Sequence, residues 1–327
     1  MYDLRNRPEQ ERFFLFLPQK CYNKLMDYQT VKSAHEAYRK KSTRVYTIGI
    51  IITVLLTLVG IGSGSFFFGF FLLFLAYGST AVFAAVYTKN EHKAYRQAYK
   101  AYFVEKNLRK IFTINHYDHS AGLNRALLQS TNMVNTGDRY SSNDYTAGLY
   151  KDVGFIQADV HIEVEHEDSE GNSSYVTIFK GRWMVFEFPK KFNFRIEVIE
   201  KGFRAARIPG KNAKTGRKFE RLKLESPEFN KLFKLYSEDG FETFYLMDPS
   251  FIHNITKLGQ SYKGKLLLCF IDNKLHVGLH DNKDSFEPPK FHQKLDEATE
   301  NAKVTEDIKL ITTFIDELKL DRKIFQK

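Results

Sequence analysis

Apolar and polar positions divide this chain of 327 residues into two contrasting parts. From Val45 to Thr88, 44 consecutive residues contain no Asp, Glu, Lys, Arg or His. A hydrocarbon layer about 30 Å thick is crossed by roughly 20 helical residues, so a block twice that long folds back on itself. It predicts two helices: "VYTIGIIITVLLTLV", rich in Ile, Leu and Val, and "FFFGFFLLFLAYGSTAVFAAVY", rich in Phe, Leu and Ala. Between them lies "GIGSGS", Gly60 to Ser65, whose small residues suit a tight, uncharged corner.

On either side, Lys20 to Arg44 and Lys89 to Phe112 are polar segments without Gly or Pro, rich in Ala, Tyr, Lys and Glu, and both read as helices. In the second, Ala94, Ala98, Ala101, Glu105 and Leu108 share one face, with Tyr95, Tyr99, Tyr102 and Lys106 beside it. The small-residue face predicts a paired stalk continuing the two spans inward. The other reading has each arm packing separately on a globular domain or on lipid headgroups.

From Asn115 to Tyr150 the chain is rich in Asn, Ser, Thr and Gly, with "SAGLNRALLQS" as a short helix and "TGDRYSSNDYTAG" as a loop. Strand character follows. "VGFIQADVHIEVEH" alternates, with Ile162 and Val164 on one face and His161, Glu163 and Glu165 on the other. "GNSS" reads as a turn, "YVTIFKGRWMVFEFP" as one or two strands stopped by Pro189, and "FRIEVIEK" as a further strand. Short helices begin at Pro227 and Pro249, each with a capping residue (Ser226, Asp248) before the proline. "KLLLCFIDNKLHVGLH" has the pattern of a hairpin turning at "DN". Last comes an amphipathic helix from about Leu295 to Leu320, with Val304, Ile308, Ile311, Ile315 and Leu318 on one stripe.

The fold class is thus α+β. A transmembrane hairpin (45–88, turn at 60–65) lies between cytosolic juxtamembrane helices (1–44 and 89–114), and a mainly antiparallel-sheet domain occupies 115–327.

Charge fixes the expected orientation. Of the net +10, residues 1–44 carry ten Lys/Arg against five Asp/Glu, and 89–114 carry seven against two, while 115–327 has 32 of each sign. The excess lies beside the spans and forms no nucleic-acid footprint, so no nucleic-acid partner is expected. Cationic flanks resist translocation, which makes Arg39, Lys40, Lys41 and Arg44 before the first span, and Lys89, Lys93 and Arg96 after the second, the expected membrane-surface contacts. Both termini are then cytosolic and the protein is multi-pass in a cell (inner) membrane. The apolar block begins too far into the chain for a cleaved signal peptide. Cys21 and Cys269 lack a C-x-x-C partner, in keeping with a reducing compartment.

Candidate chemistry is sparse. "GIGSGS" lacks the G-x-G-x-x-G spacing and the strand–helix context of a dinucleotide site. "GKNAKTGRK" (Gly210–Lys218) misses the Walker spacing by one residue. The basic stretch Lys201 to Lys223 reads as a solvated loop or as a surface for anionic lipid. In "HIEVEHED", His161, Glu163 and Glu165 form a row of N and O groups that a divalent cation accepts, or the polar face of an ordinary exposed strand. "NHYDHS" (His116, Asp118, His119) and the pair His276 and His280 are weaker candidates. Trp183, in the strand run, reads as core. No cofactor is expected.

In "FKGRWMVFEFPKKF" (Phe179–Phe192), "LESPEFNKLFKLYSEDGFETFYLMDPSFIHNI" (Leu224–Ile255) and "LLCFIDNKLHVGLHDNKDSFEP" (Leu267–Pro288), the chain resembles the bacterial family catalogued as domain of unknown function 3137. The resemblance implies a two-span hairpin ahead of these blocks and, as partner, a small membrane-anchored helical protein of the LemA type. It implies no activity, and no functional residue is carried over. The expected role is a membrane-anchored binding, scaffold or regulatory module with the lipid bilayer, a membrane protein or another copy of itself as partner. The alternative is a membrane-associated hydrolase or metal-dependent enzyme using His161, Glu163 and Glu165. A transporter is disfavoured, because the spans hold no ionisable residue.

Overall fold

The structure, a computed structural model, describes residues 27–64, 66–207, 210 and 216–321. Cys21, the start of the first predicted arm, Ser65 and most of the Gly210–Lys218 loop lie outside the described residues. The chain forms two compact units. One is helical and contains residues 27–107 together with Phe286–Thr305; the other is α+β and contains Leu108–Ser285 and residues 306–321.

In the helical unit, α1 (Tyr28–Gly62) carries the first arm and the first apolar limb as one helix, capped by Asp27, whose side chain accepts from Thr30 N at 2.8 Å. α2 (Phe66–Tyr87) returns beside it. Both are long and apolar enough to cross a membrane. Their seam is built from small residues, with Gly49, Gly60, Gly69, Ala76 and Ala84 buried. A Cβ on Gly60 would lie 2.7 Å from Gly69 Cα, so only glycine permits this approach near the corner. The hydroxyls of Thr53, Thr57 and Thr80 each bond the carbonyl four residues earlier at 2.8 Å, leaving no unsatisfied side-chain donor on those turns.

The two arms pair. α3 (Lys89–Tyr99) meets the first half of α1 through Tyr38, which stacks on Tyr95 at 6.0 Å and lies 5.0 Å from His92, and through a Lys41–Glu91 ion pair at 2.7 Å. The helix continues as a π-helical turn, Lys100–Glu105, and then as α4 (Lys106–Ile111). The buried face differs from the expected one. Ala98 and Leu108 of that face are buried, but Tyr95, Tyr99, Tyr102 and Phe103 are buried beside them and Ala94 is exposed. The extra residue of the π turn rotates the face, and aromatic rings remove more apolar area from water than alanines can. Within this unit Tyr99 OH donates to Glu300 Oε2 at 2.6 Å, and the wholly buried Lys100 reaches Glu287 Oε1 at 3.1 Å.

The α+β unit is a seven-stranded antiparallel sheet in the order β1-β2-β3-β4-β6-β5, with β7 also paired to β4. The strands are β1 (Thr113–Asp118), β2 (Arg139–Tyr150), β3 (Val153–Glu167), β4 (Ser173–Glu200), β5 (Glu220–Leu222), β6 (Phe233–Ser237) and β7 (Lys265–His280). Among them lie α5 (Arg125–Thr131), α6 (Pro227–Leu232), α7 (Gly240–Leu246) and α8 (Pro249–Ser261), and α9 (Glu297–Glu317) follows the sheet.

Three expectations are corrected here. The stretch read as a loop, "TGDRYSSNDYTAG", is largely strand β2, joined to β3 by Lys151 and Asp152, both at positive φ. That backbone is the one two-residue hairpin turns require, although Lys-Asp lacks the glycine that would announce it. Pro189 does not end its strand. β4 runs on through it, because residues 188–191 lie in a register break between the Glu187–Lys274 and Phe192–Asp272 pairs, where a missing N–H costs no ladder bond. "DN" does not reverse the chain either. β7 is one strand of 16 residues with Asp272 at φ 53° as a bulge, and Asn273 Nδ2 bonds Glu187 Oε1 across it at 2.9 Å.

Both faces of the sheet are covered. On one, Ile156, Val160, Phe179, Trp183, Leu267 and Cys269 pack with Leu128 of α5, Val134 and Phe203. On the other, Leu266, Leu268 and Phe270 are fully buried, and Phe251 of α8 lies 5.9 Å from Phe270. Ser226 and Asp248 cap α6 and α8 through Phe229 N and Phe251 N.

Two buried titratable groups sit on the first face. Burial raises the Glu197 carboxyl to about 7 against the pull of Arg195, whose Nε donates to Glu197 Oε1 at 2.8 Å. Glu197 Oε2 has no hydrogen-bond partner. Burial lowers His276 to about 3, and its Nδ1 accepts from Trp183 Nε1 at 3.4 Å, which requires the neutral ring. The signs oppose. A raised carboxyl supports the fold below pH ~4.5 and loses that support as pH rises to about 7. A depressed imidazole supports it above its ordinary 6.5 and loses that support as pH falls toward 3. We expect Glu197→Gln to remove the loss of stability between pH 5 and pH 8, each pKa unit being worth about 1.4 kcal/mol. Chemical denaturation followed by Trp183 emission measures this. Parallel pH profiles for the variant and the parent chain would contradict the assignment.

Candidate functional site

The charged collar predicted beside the spans divides in two. Lys41 and Arg96 are used inside the helical unit: Lys41 pairs with Glu91 and lies 4.2 Å from the Tyr87 ring centre, and Arg96 Nε donates to Glu287 at 3.0 Å. Arg39, Lys40, Arg44, Lys89 and Lys93 are exposed. Those five present their charge outward.

Strand β3 places His161, Glu163 and Glu165 along one edge of its polar face. His161 Nε2 lies 3.8 Å from Glu163 Oε1 and 2.9 Å from Thr177 Oγ1. Glu165 is exposed farther along, and its N–H donates to Asp138 Oδ2 at 2.7 Å. Lys180 stands opposite His161 in the register, and Arg139 opposite Glu163. Directly opposed residues share a face, so Glu163 has the Arg139 cation within side-chain reach, whereas Glu165 stands opposite Tyr175, whose ring Arg139 covers. Arg139 thus competes with a metal for Glu163 alone.

The weaker histidine candidates have structural work. His280 Nδ1 accepts from Lys180 N at 3.0 Å and His276 accepts from Trp183. Asp118 Oδ1 accepts from Ser120 N at 2.8 Å, closing a turn. In the basic stretch, Arg207 donates to Asn132 Oδ1 at 2.8 Å and Arg217 lies 4.0 Å from Asp239 Oδ2.

One surface escaped the sequence reading. α7, capped by Asp239, buries Thr243 and Leu246 and turns Phe241, Phe244 and Tyr245 to the outside, Phe241 being 83% exposed. Lys190, in the break of β4, holds its ammonium 5.8 Å from the Tyr245 ring centre. Three aromatics at i, i+3 and i+4 read in sequence as an inward stripe, and only the packing of Leu246 and Thr243 shows which side is buried. Aromatic groups with a cation at their edge are the usual chemistry of protein-contact surfaces.

The fold and these surfaces define an α+β domain carried by a pair of apolar helices, without an assembled catalytic set among the described residues. Residues 177–320 match the family described as "Protein of unknown function (DUF3137)". No curated protein matches the chain. Among solved structures, the mycobacterial trehalose monomycolate transport factor A, TtfA, is similar at 12% identity over 69% of this chain and 93% of that one, with a TM-score of 0.34.

Replacing His161, Glu163 and Glu165 together by Ala is expected to leave the metal content of the purified protein unchanged, as read by elemental mass spectrometry. Loss of a stoichiometric divalent ion would favour the metal-enzyme alternative.

Proposed function

We propose that this protein is a membrane-anchored module, held by the α1–α2 hairpin, whose α+β unit binds a partner close to the bilayer surface. The direction of the apolar side chains supports this reading. The seam of the hairpin takes glycine and alanine, while the large residues stand outward, Phe67 at 90% and Phe74 at 71% exposure. Exposed to water, such surface costs about 25 cal/mol per Å²; surrounded by hydrocarbon it costs nothing.

The cationic flanks orient the hairpin with its corner outside and both arms in the cytosol. The aromatic surface of α7 is the contact for the partner. That partner is a membrane-anchored helical protein of the kind the family resemblance implies, and a bacterial inner membrane is the setting in which the two meet.

The full-length chain is expected to stay in the membrane pellet after alkaline carbonate extraction. A cysteine introduced by Ser63→Cys should react with an impermeant thiol reagent in intact cells, whereas one introduced by Ser173→Cys should react only after permeabilisation. Release into the supernatant, or the reverse labelling pattern, would refute the anchor or its orientation. Separately, Phe241→Ser with Phe244→Ser should move folding stability by no more than about 0.5 kcal/mol, as for other exposed positions, yet abolish crosslinking to the partner in native membranes. Undiminished crosslinking would remove α7 from the contact.

A further inference from the structure

The hairpin carries a cleft whose two ends differ in chemistry. Near the arm, a depression of about 410 Å³ is lined by Glu36, Arg39, Lys40, Thr43 and Arg44. Arg44 also lines the mouth of an apolar trough of about 540 Å³ between α1 and α2, walled by Ile48, Ile52, Leu72, Ala76 and Phe83 among others. The trough follows from the small-residue seam. Gly49 sits against Thr80, and Ala76 and Ser79 are too short to fill the space beside them.

Size and charge restrict the occupant. From Val45 to Leu56 the trough follows α1 for about 17 Å, close to half of a hydrocarbon layer about 30 Å thick, and so to the depth of one leaflet. In the depression that shares Arg44 with the trough, Arg39, Lys40 and Arg44 are exposed and make no salt bridge among the described residues, and Glu36 offsets only one of the three. Two guanidinium forks and an ammonium suit a phosphate.

We infer that this cleft binds one anionic phospholipid, its phosphate held by Arg39, Lys40 and Arg44 and one acyl chain lying in the trough. The inference rests on the membrane-anchored reading given above.

The test uses the full-length chain in nanodiscs of mixed phosphatidylglycerol and phosphatidylcholine, followed by gentle delipidation and mass spectrometry of the lipid retained per chain. The parent chain should retain phosphatidylglycerol over phosphatidylcholine by at least about fivefold, the attraction of a single basic residue near an anionic surface. Replacing Arg39, Lys40 and Arg44 together by Gln should abolish the preference. Ser79→Phe, at an exposed position in the trough wall, should reduce retention of both lipids. Equal retention of the two lipids by the parent chain, or a preference unchanged in the triple variant, would overturn the proposal. Carbonate extraction separates the two claims: a chain that stays in the pellet without lipid preference refutes the cleft alone, and a chain released from the membrane refutes the anchor as well.

Discussion

The backbone ladder of β4 is the constraint from which the α+β unit follows. Its 28 residues pair with β3 along the first half and with β6 near the end, while β7 accompanies the opposite edge through both. Each of those strands finds its hydrogen-bond partners through β4, so the sheet cannot be divided without leaving backbone groups unpaired. From Phe179 onward β4 is largely buried on both faces. It reads as a nearly continuous run of aromatic and β-branched residues for that reason, and its few charged members need partners inside the fold. Arg195 and Glu197 supply each other, at the cost of one carboxylate oxygen that stays unbonded.

Much of this architecture was legible in the residues. The uncharged block could be placed because 44 consecutive residues without a charge are twice what one span needs, and α6 and α8 because Ser226–Pro227 and Asp248–Pro249 are cap signals with a local mechanism. Local signals failed where the long ladder prevailed. Pro189 and Asp272–Asn273 carry strong turn chemistry, yet each lies in a break where the neighbouring strand tolerates it. β2 is too rich in Ser, Asn and Asp to announce itself, and its strand state comes from pairing with β3 on one side and β1 on the other. Of the candidate surfaces, the basic collar was visible as a charge count. The α7 aromatics were visible only as apolar letters, because one helical turn does not disclose which of its sides meets the core.

The division of labour among the collar residues has the same origin. Lys41, Arg96 and Lys100 spend their charge on carboxylates inside the helical unit, which fixes the paired arms. Arg39, Lys40 and Arg44 are exposed on α1 and make no such pair among the described residues. Identical residue types within a few positions are thus engaged or exposed according to the direction they face on the helix, a distinction that net charge cannot express.

The bulge at Asp272 has a further consequence for the chain's tolerance to change in length. Before it, Leu267 and Cys269 face the α5 side; after it, His276 and Gly278 do, so odd positions hand that face to even ones. The strand changes phase in mid-course, and the tryptophan ring resting against Gly278 depends on the switch. Losing one residue there would invert every side chain downstream, driving Leu275, Val277 and Leu279 across the sheet. This single dihedral works as a frame-setting joint, and the fold constrains the spacing across it more tightly than the choice of apolar residue on either side.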